Sequence, residues 1–145
     1  MTQELIQAVN KQVANWTVLY VKLHHYHWFV KGHHFFTLHE KFEEFYNEAN
    51  ENVDVLAERL LSIGGTPVST MKACLELASV QEANGGENED GMVRDTCSDF
   101  EKMIQELQDA MKLADEAGDE GTGDVLLSIH KNLQKHLWML KAYLG

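Results

Sequence analysis

Pro67 is the only proline in the chain. Proline is the residue that most reliably breaks a helix, so long helices are free to form on either side of it. Apolar residues on both sides recur in threes and fours, the period of a helix with one buried face. Leu5, Val9, Val13, Trp16, Leu19, Leu23, Tyr26 and Val30 make one such stripe, which predicts a first helix over about 2–31 that Gly32 ends. A second is expected to start near Thr37, whose hydroxyl can cap it with Glu40 three residues on. It runs through Phe42, Phe45, Tyr46, Ala49, Val53, Leu56, Leu60 and Leu61 until Gly64-Gly65 and Pro67 stop it. A long connection follows, with one short helix over 71–79 and the loose stretch EANGGENEDG. A third helix is expected over about 90–117, and a fourth after the glycine-rich junction 118–123.

A second helix of about 27 residues is about 40 Å long. The long connection can carry the chain back along that length, which makes the second and third helices parallel. The expected fold is therefore all-α: one domain over residues 1–145, a ferritin-like four-helix bundle whose long crossover, with its short helix, joins helices two and three. A net charge of −11 disfavours nucleic acid and anionic membranes and attracts cations. Cys74 and Cys97 form no CxxC or Cys/His zinc pattern. With no signal-peptide pattern and no apolar run long enough to cross a bilayer, the expectation is a soluble cytoplasmic protein.

Six of the eight histidines crowd into HHYHWFVKGHHFFTLHEKF, residues 24–42. Helical geometry sorts them. With His39 at 0° on the second helix, Glu43 lies at about 40°, Asp54 at about 60° and Glu58 at about 100°, while the apolar residues fall between about 240° and 340°. One histidine and three carboxylates thus form a polar strip beside the core face, a pattern that a solvated face of an acidic helix would also give. His27 falls on the first helix's apolar stripe, where a histidine can be a satisfied core residue. Yet His27 and His39 are nearly equidistant from the turn at 32–34, so an antiparallel hairpin sets them at similar heights. His24 and His25 point to the rim, His33 and His34 lie in the turn, His136 reads as core and His130 as surface.

Asp54 and Glu58, four residues apart, are paired hard oxygen donors. Fifteen residues of helix hold Asp54 roughly 22 Å from His39. A two-fold axis near the middle of the second helix would bring His39 of one copy beside Asp54 and Glu58 of another and create two identical intersubunit sites.

The run His27-Trp28, Gly32, Phe35, Leu38-His39, Phe42, then Asp54-x-x-Ala57-Glu58-Arg59, strongly resembles the Dps family, the dodecameric mini-ferritins. The likeness extends over almost the whole chain, through IGGTPVST and KHLWMLKAYLG. It implies a hollow twelve-subunit homo-oligomer that oxidises Fe²⁺ at its two-fold interfaces, two irons to a site. His27 and His39 would come from one subunit and Asp54 and Glu58 from its mate, these four being the catalytic set. Glu43 stands where the family usually has aspartate and joins them as a metal ligand. The acidic segment DEAGDEGTGD matches the family's iron-admitting pores, with Asp115, Glu120 and Asp124 as the lining; a solvated loop is the alternative. Trp28 matches the tryptophan that similar proteins keep beside the site, while Trp138 reads as packing.

The function so implied is a ferroxidase that oxidises Fe²⁺ with H₂O₂ (or O₂) and stores the ferric mineral against oxidative damage. A structural protein that compacts DNA is the alternative. Similar proteins that bind DNA do so with lysine-rich tails, whereas the first fifteen residues here hold only Lys11. No DNA-binding residue, direct nucleic-acid contact or membrane contact is expected.

Overall fold

A computed structural model of the chain describes residues 2–145. It contains five helices and, among the described residues, no strand: α1 (Gln3–Phe29), α2 (Phe35–Ser62), α3 (Met71–Leu77), α4 (Glu89–Glu116) and α5 (Glu120–Leu144). All eight residues of the α1 stripe are buried. Thr2 caps this helix, its Oγ1 accepting from Leu5 N–H at 3.2 Å. Gly32 then turns the chain at φ +128°, and a Cβ there would meet Glu89 Oε2 at 2.6 Å. The backbone there favours glycine, and any Cβ would also push the Glu89 carboxylate aside.

α2 starts two residues before Thr37, with His34 as its N-cap and no side-chain cap. The expected Thr37–Glu40 capping box does not form. Glu89 of α4 takes over instead, accepting from the His34 N–H at 3.2 Å, so a tertiary contact fixes the start of the helix. The far end follows the sequence: Gly64 at φ +86° closes a Schellman motif, with Gly65 N–H on Leu60 O at 2.7 Å and Gly64 N–H on Leu61 O at 3.2 Å. α5 begins at Glu120, earlier than the glycines suggest, because Asp119 caps it through Thr122 N–H at 3.0 Å.

Pairing across the bundle settles the topology. Asn15 meets Glu106 and Lys22 meets Asp99, so α1 and α4 run antiparallel. α1 and α2 form an antiparallel hairpin, so α2 and α4 are parallel, as the crossover requires. Arg59 meets Asp119 and Glu48 meets His136, which sets α5 antiparallel to α2. Asn15, wholly buried, ties the crossover down by accepting from Ser79 N–H at 2.8 Å and Val80 N–H at 3.3 Å.

Beside the apolar core lies a polar network that sequence periodicity does not show. Buried Lys22 reaches Asp95 at 2.6 Å and Asp99 at 2.7 Å. The single Tyr26 hydroxyl proton is shared between Asp95 at 2.6 Å and Glu87 at 3.0 Å. Glu87 also accepts the N–H groups of Asn84, Gly85 and Gly86 at 3.1, 2.9 and 3.0 Å. Burial alone would raise its pKa, but these donors outweigh burial and bring the carboxyl down to about 2, from an ordinary 4.5. The folded value lies below the unfolded one, so this stabilisation is complete above about pH 4.5 and fades as pH falls toward 2. Glu87→Gln should therefore cost about 1–2 kcal/mol in urea unfolding at pH 7. The gap from wild type should close on acidification below 4.5; a gap that stays constant to pH 3 would contradict this role.

Candidate metal centre at the α1–α2 turn

The hairpin brings His27 and His39 together. Their rings stack with centroids 3.7 Å apart and planes at 14°. Each ring bonds the other residue's backbone: His27 Nδ1 to His39 O at 2.6 Å, and His39 Nδ1 to His27 O at 2.7 Å. A carbonyl oxygen only accepts, so each Nδ1 carries its ring's proton and each Nε2 keeps a lone pair. An outer partner that fixes the tautomer and aims the other nitrogen is the usual support of a metal-binding histidine. His27 is buried and His39 half-buried. Phe35 stacks on His39 at 4.9 Å, and Tyr46 sets its edge against His27 at 5.3 Å. Glu43 Oε1 lies 3.7 Å from His27 Nε2.

Asp54 and Glu58 are exposed farther along α2, roughly 22 and 28 Å from His39 at 1.5 Å per residue. Among the described residues, no group of three or more His, Cys, Asp or Glu side chains within one chain could hold a metal ion. One chain presents two imidazoles and a neighbouring carboxylate at one end of α2 and a carboxylate pair at the other. Asp115, Glu120 and Asp124 are all exposed, around the α4–α5 junction. Trp28 is 65 % exposed and lies 5.2 Å from His24, which stacks on Tyr46 at 3.6 Å.

Three residues differ from expectation. His130 is buried rather than on the surface, and burial lowers its pKa. His136 is half-exposed rather than core, with Nε2 2.6 Å from Glu48 Oε2. Trp138 is 67 % exposed and does not pack within its own chain. One residue of the sequence motif has contacts that spacing along the chain does not give. Arg59, next to Glu58, donates through Nε to Thr122 Oγ1 at 3.0 Å and through Nη2 to Asp119 Oδ1 at 3.0 Å. Burial tends to raise the Asp119 pKa, but Thr122 and Arg59 hold it below its ordinary value. Asp119 is thus committed within the chain. The signal available was the Asp119-x-x-Thr122 cap pattern.

The ferritin-like domain family matches residues 6–145. General stress protein 20U of Bacillus subtilis is 63 % identical over 145 residues, covering 100 % of both chains. The crystal structure of Dps from Staphylococcus aureus superimposes with a TM-score of 0.98 at 46 % identity, over 99 % of this chain and 97 % of that one. Dps from Listeria innocua, in crystals soaked with zinc, gives a TM-score of 0.94 at 44 % identity over 97 % and 96 %. A bundle with this crossover places the chain in the class of ferritin-like proteins. Within that class, it belongs to the Dps family.

The reciprocal bonds can be checked directly. In ¹³C/¹⁵N-histidine-labelled protein free of metal at pH 7.5, His27 and His39 should both show Nδ1–H tautomers. Nε2–H at either ring would contradict the geometry.

Proposed function

We propose that the protein is an iron-sequestering ferroxidase: it oxidises Fe²⁺ at sites shared between subunits and stores the ferric product inside a hollow dodecamer. The observation that carries this reading is the His27–His39 pair, with both Nδ1 atoms locked on backbone carbonyls and both Nε2 atoms left as donors. Imidazole with carboxylate suits iron in its ferrous and ferric states. Antiparallel pairing of two α2 helices brings Asp54 and Glu58 of one subunit to the histidines of the other and makes two equal sites.

The stacking also argues for two cations in each site. An imidazole lone pair lies in its ring plane, and near-parallel stacked rings cannot both aim at one ion. Each histidine serves its own Fe²⁺, and the two lie as close as the metals of other dinuclear centres, about 3.5–4 Å. Two Fe²⁺ give one electron each to one H₂O₂, which takes up two protons and leaves as two waters with two Fe³⁺ behind. Paired donors avoid the hydroxyl radical that a single electron would release. Trp28, exposed beside this end of the hairpin, is placed to be oxidised in place of diffusible targets. Asp115, Glu120 and Asp124 draw cations inward when three subunits gather them around a pore. Protection on this reading comes from removing iron and peroxide together, and the charge of −11 disfavours direct DNA compaction.

Asp54→Asn with Glu58→Gln tests the assignment. Changes to outer-shell partners alone cost about 10- to 100-fold, so loss of two direct ligands should slow Fe²⁺ oxidation by H₂O₂ by about a hundredfold or more. Mass photometry should show the variant still dodecameric. Wild-type rates in an intact dodecamer would remove these residues from the site.

A further inference from the structure

Trp28 follows His27 in the chain, but the two side chains leave α1 about 100° apart, and Trp28 reaches the metal centre by another route. Its indole lies 5.2 Å from the His24 ring. His24 stacks on Tyr46 with centroids 3.6 Å apart and planes at 18°, and Tyr46 rests its edge on His27 at 5.3 Å. A line of rings therefore runs from an exposed indole to a buried histidine. His24 is fixed within it, because its Nδ1 donates to Tyr20 O at 2.7 Å and the ring cannot leave the stack without breaking that bond. Tyr20 lies beside the line, 4.6 Å from His24 and 6.2 Å from Tyr46. Trp138 is as exposed as Trp28, at 67 % against 65 %, but no such line of rings, among the described residues, joins it to the centre.

The order of the rings has a redox meaning. Tryptophan and tyrosine each release one electron together with one proton. Tyrosine is the easier of the two to oxidise near neutral pH, and Fe²⁺ among carboxylate and imidazole donors is easier still. Imidazole resists oxidation, so His24 couples its neighbours by contact and holds no charge of its own. An oxidising equivalent placed on Trp28 thus runs downhill toward the metal.

We propose that His24 and Tyr46 form an electron relay between the metal centre and Trp28, through which Fe²⁺ at the site restores a Trp28 that has been oxidised. This rests on the shared-site reading above and makes Trp28 reusable rather than a ring that is destroyed once. An oxygen-centred radical, of the kind peroxide yields with stray Fe²⁺, takes one electron from Trp28, whose indole proton goes to water. The Trp28 radical then takes an electron from Tyr46 and a proton from water. Tyr46, half-exposed, releases its phenolic proton to water and is left as a neutral radical. Fe²⁺ gives Tyr46 one electron and becomes Fe³⁺, and Tyr46 recovers its proton. The net change is one electron passed from Fe²⁺ to the oxidant, with both side chains as they began.

Pulse radiolysis with the azide radical is the probe: it takes one electron from exposed tryptophan and becomes azide ion. Trp16 is buried, so Trp138→Phe leaves Trp28 as the one exposed indole in the assembled, metal-free protein. The absorption of the Trp28 radical should decay while that of a tyrosyl radical grows at the same rate. Adding Tyr46→Phe, which keeps the ring and its stacking, should abolish the growth; adding Tyr20→Phe should leave it. Growth that survives Tyr46→Phe, growth lost with Tyr20→Phe, or no radical on Trp28 would overturn the relay. With Fe²⁺ bound and oxygen excluded, the tyrosyl signal should disappear early as ferric absorption rises. A tyrosyl lifetime that Fe²⁺ does not shorten would overturn the link to the metal. The same sample then receives H₂O₂, and failure to oxidise Fe²⁺ rapidly at that stage would sink the shared-site reading while the metal-free relay stands.

Discussion

Two hydrogen bonds, exchanged between α1 and α2 near the turn that joins them, anchor the candidate site. His27 and His39 each give a ring proton to the other's backbone oxygen, so neither imidazole can rotate without breaking its bond to the opposite helix. The exchange works only because α1 and α2 meet at matching heights. That height is set by the Gly32 turn and by Glu89, which reaches from α4 to hold His34, the N-cap of α2. The bonds do three things at once. They staple the hairpin, choose the tautomer and direct two nitrogen donors outward. Removing the polarity of either ring would cost structure as well as chemistry, and in that sense the stability of the turn and the donor set are one feature.

The second constraint is length. α2 is 28 residues, about 42 Å, and it carries His39, beside His27 of α1, near one end and Asp54 and Glu58 in its second half. No bend available to a regular helix brings these together. The residues could form one site only by meeting a second copy, and a two-fold axis across the helix would do this twice. Exposed apolar side chains along the same hairpin, Tyr20, Val21, Phe29 and Val55 among them, are consistent with a surface that another chain covers. Arg59, beside Glu58, is bonded to the first turn of α5 and joins the carboxylate end of α2 to the acidic segment that begins there.

Much of this is legible in the chain because helical periodicity is strong where burial is one-sided. The α1 stripe is buried at every position named, and His27 belongs to it. Convergence with His39 follows from counting to the turn. What the sequence hides has physical causes. The start of α2 depends on Glu89, 55 residues away from His34, so the local capping pattern misleads. The two α5 histidines lie about 60° to either side of the arc centred on Leu126, Leu133 and Leu140, so periodicity does not separate them; packing buries His130, while His136 pairs with Glu48. Trp138 is about half a turn from Ile129 and faces outward. The Lys22 network needs acids 73 and 77 residues distant, and no local pattern marks them. Charge on an apolar face reads as noise until its partners are known.

The central claim is that each site is built from two chains, and subunit mixing tests it most directly. One variant lacks His27 and His39, both replaced by alanine; the other lacks Asp54 and Glu58. Each alone should fail to oxidise Fe²⁺ rapidly. Dissociated and reassembled together, they form mixed pairs in which one site has lost all four ligands and the other has kept all four. Activity should return at a fraction of wild type. If native mass spectrometry finds mixed oligomers and oxidation stays absent, the shared site is wrong.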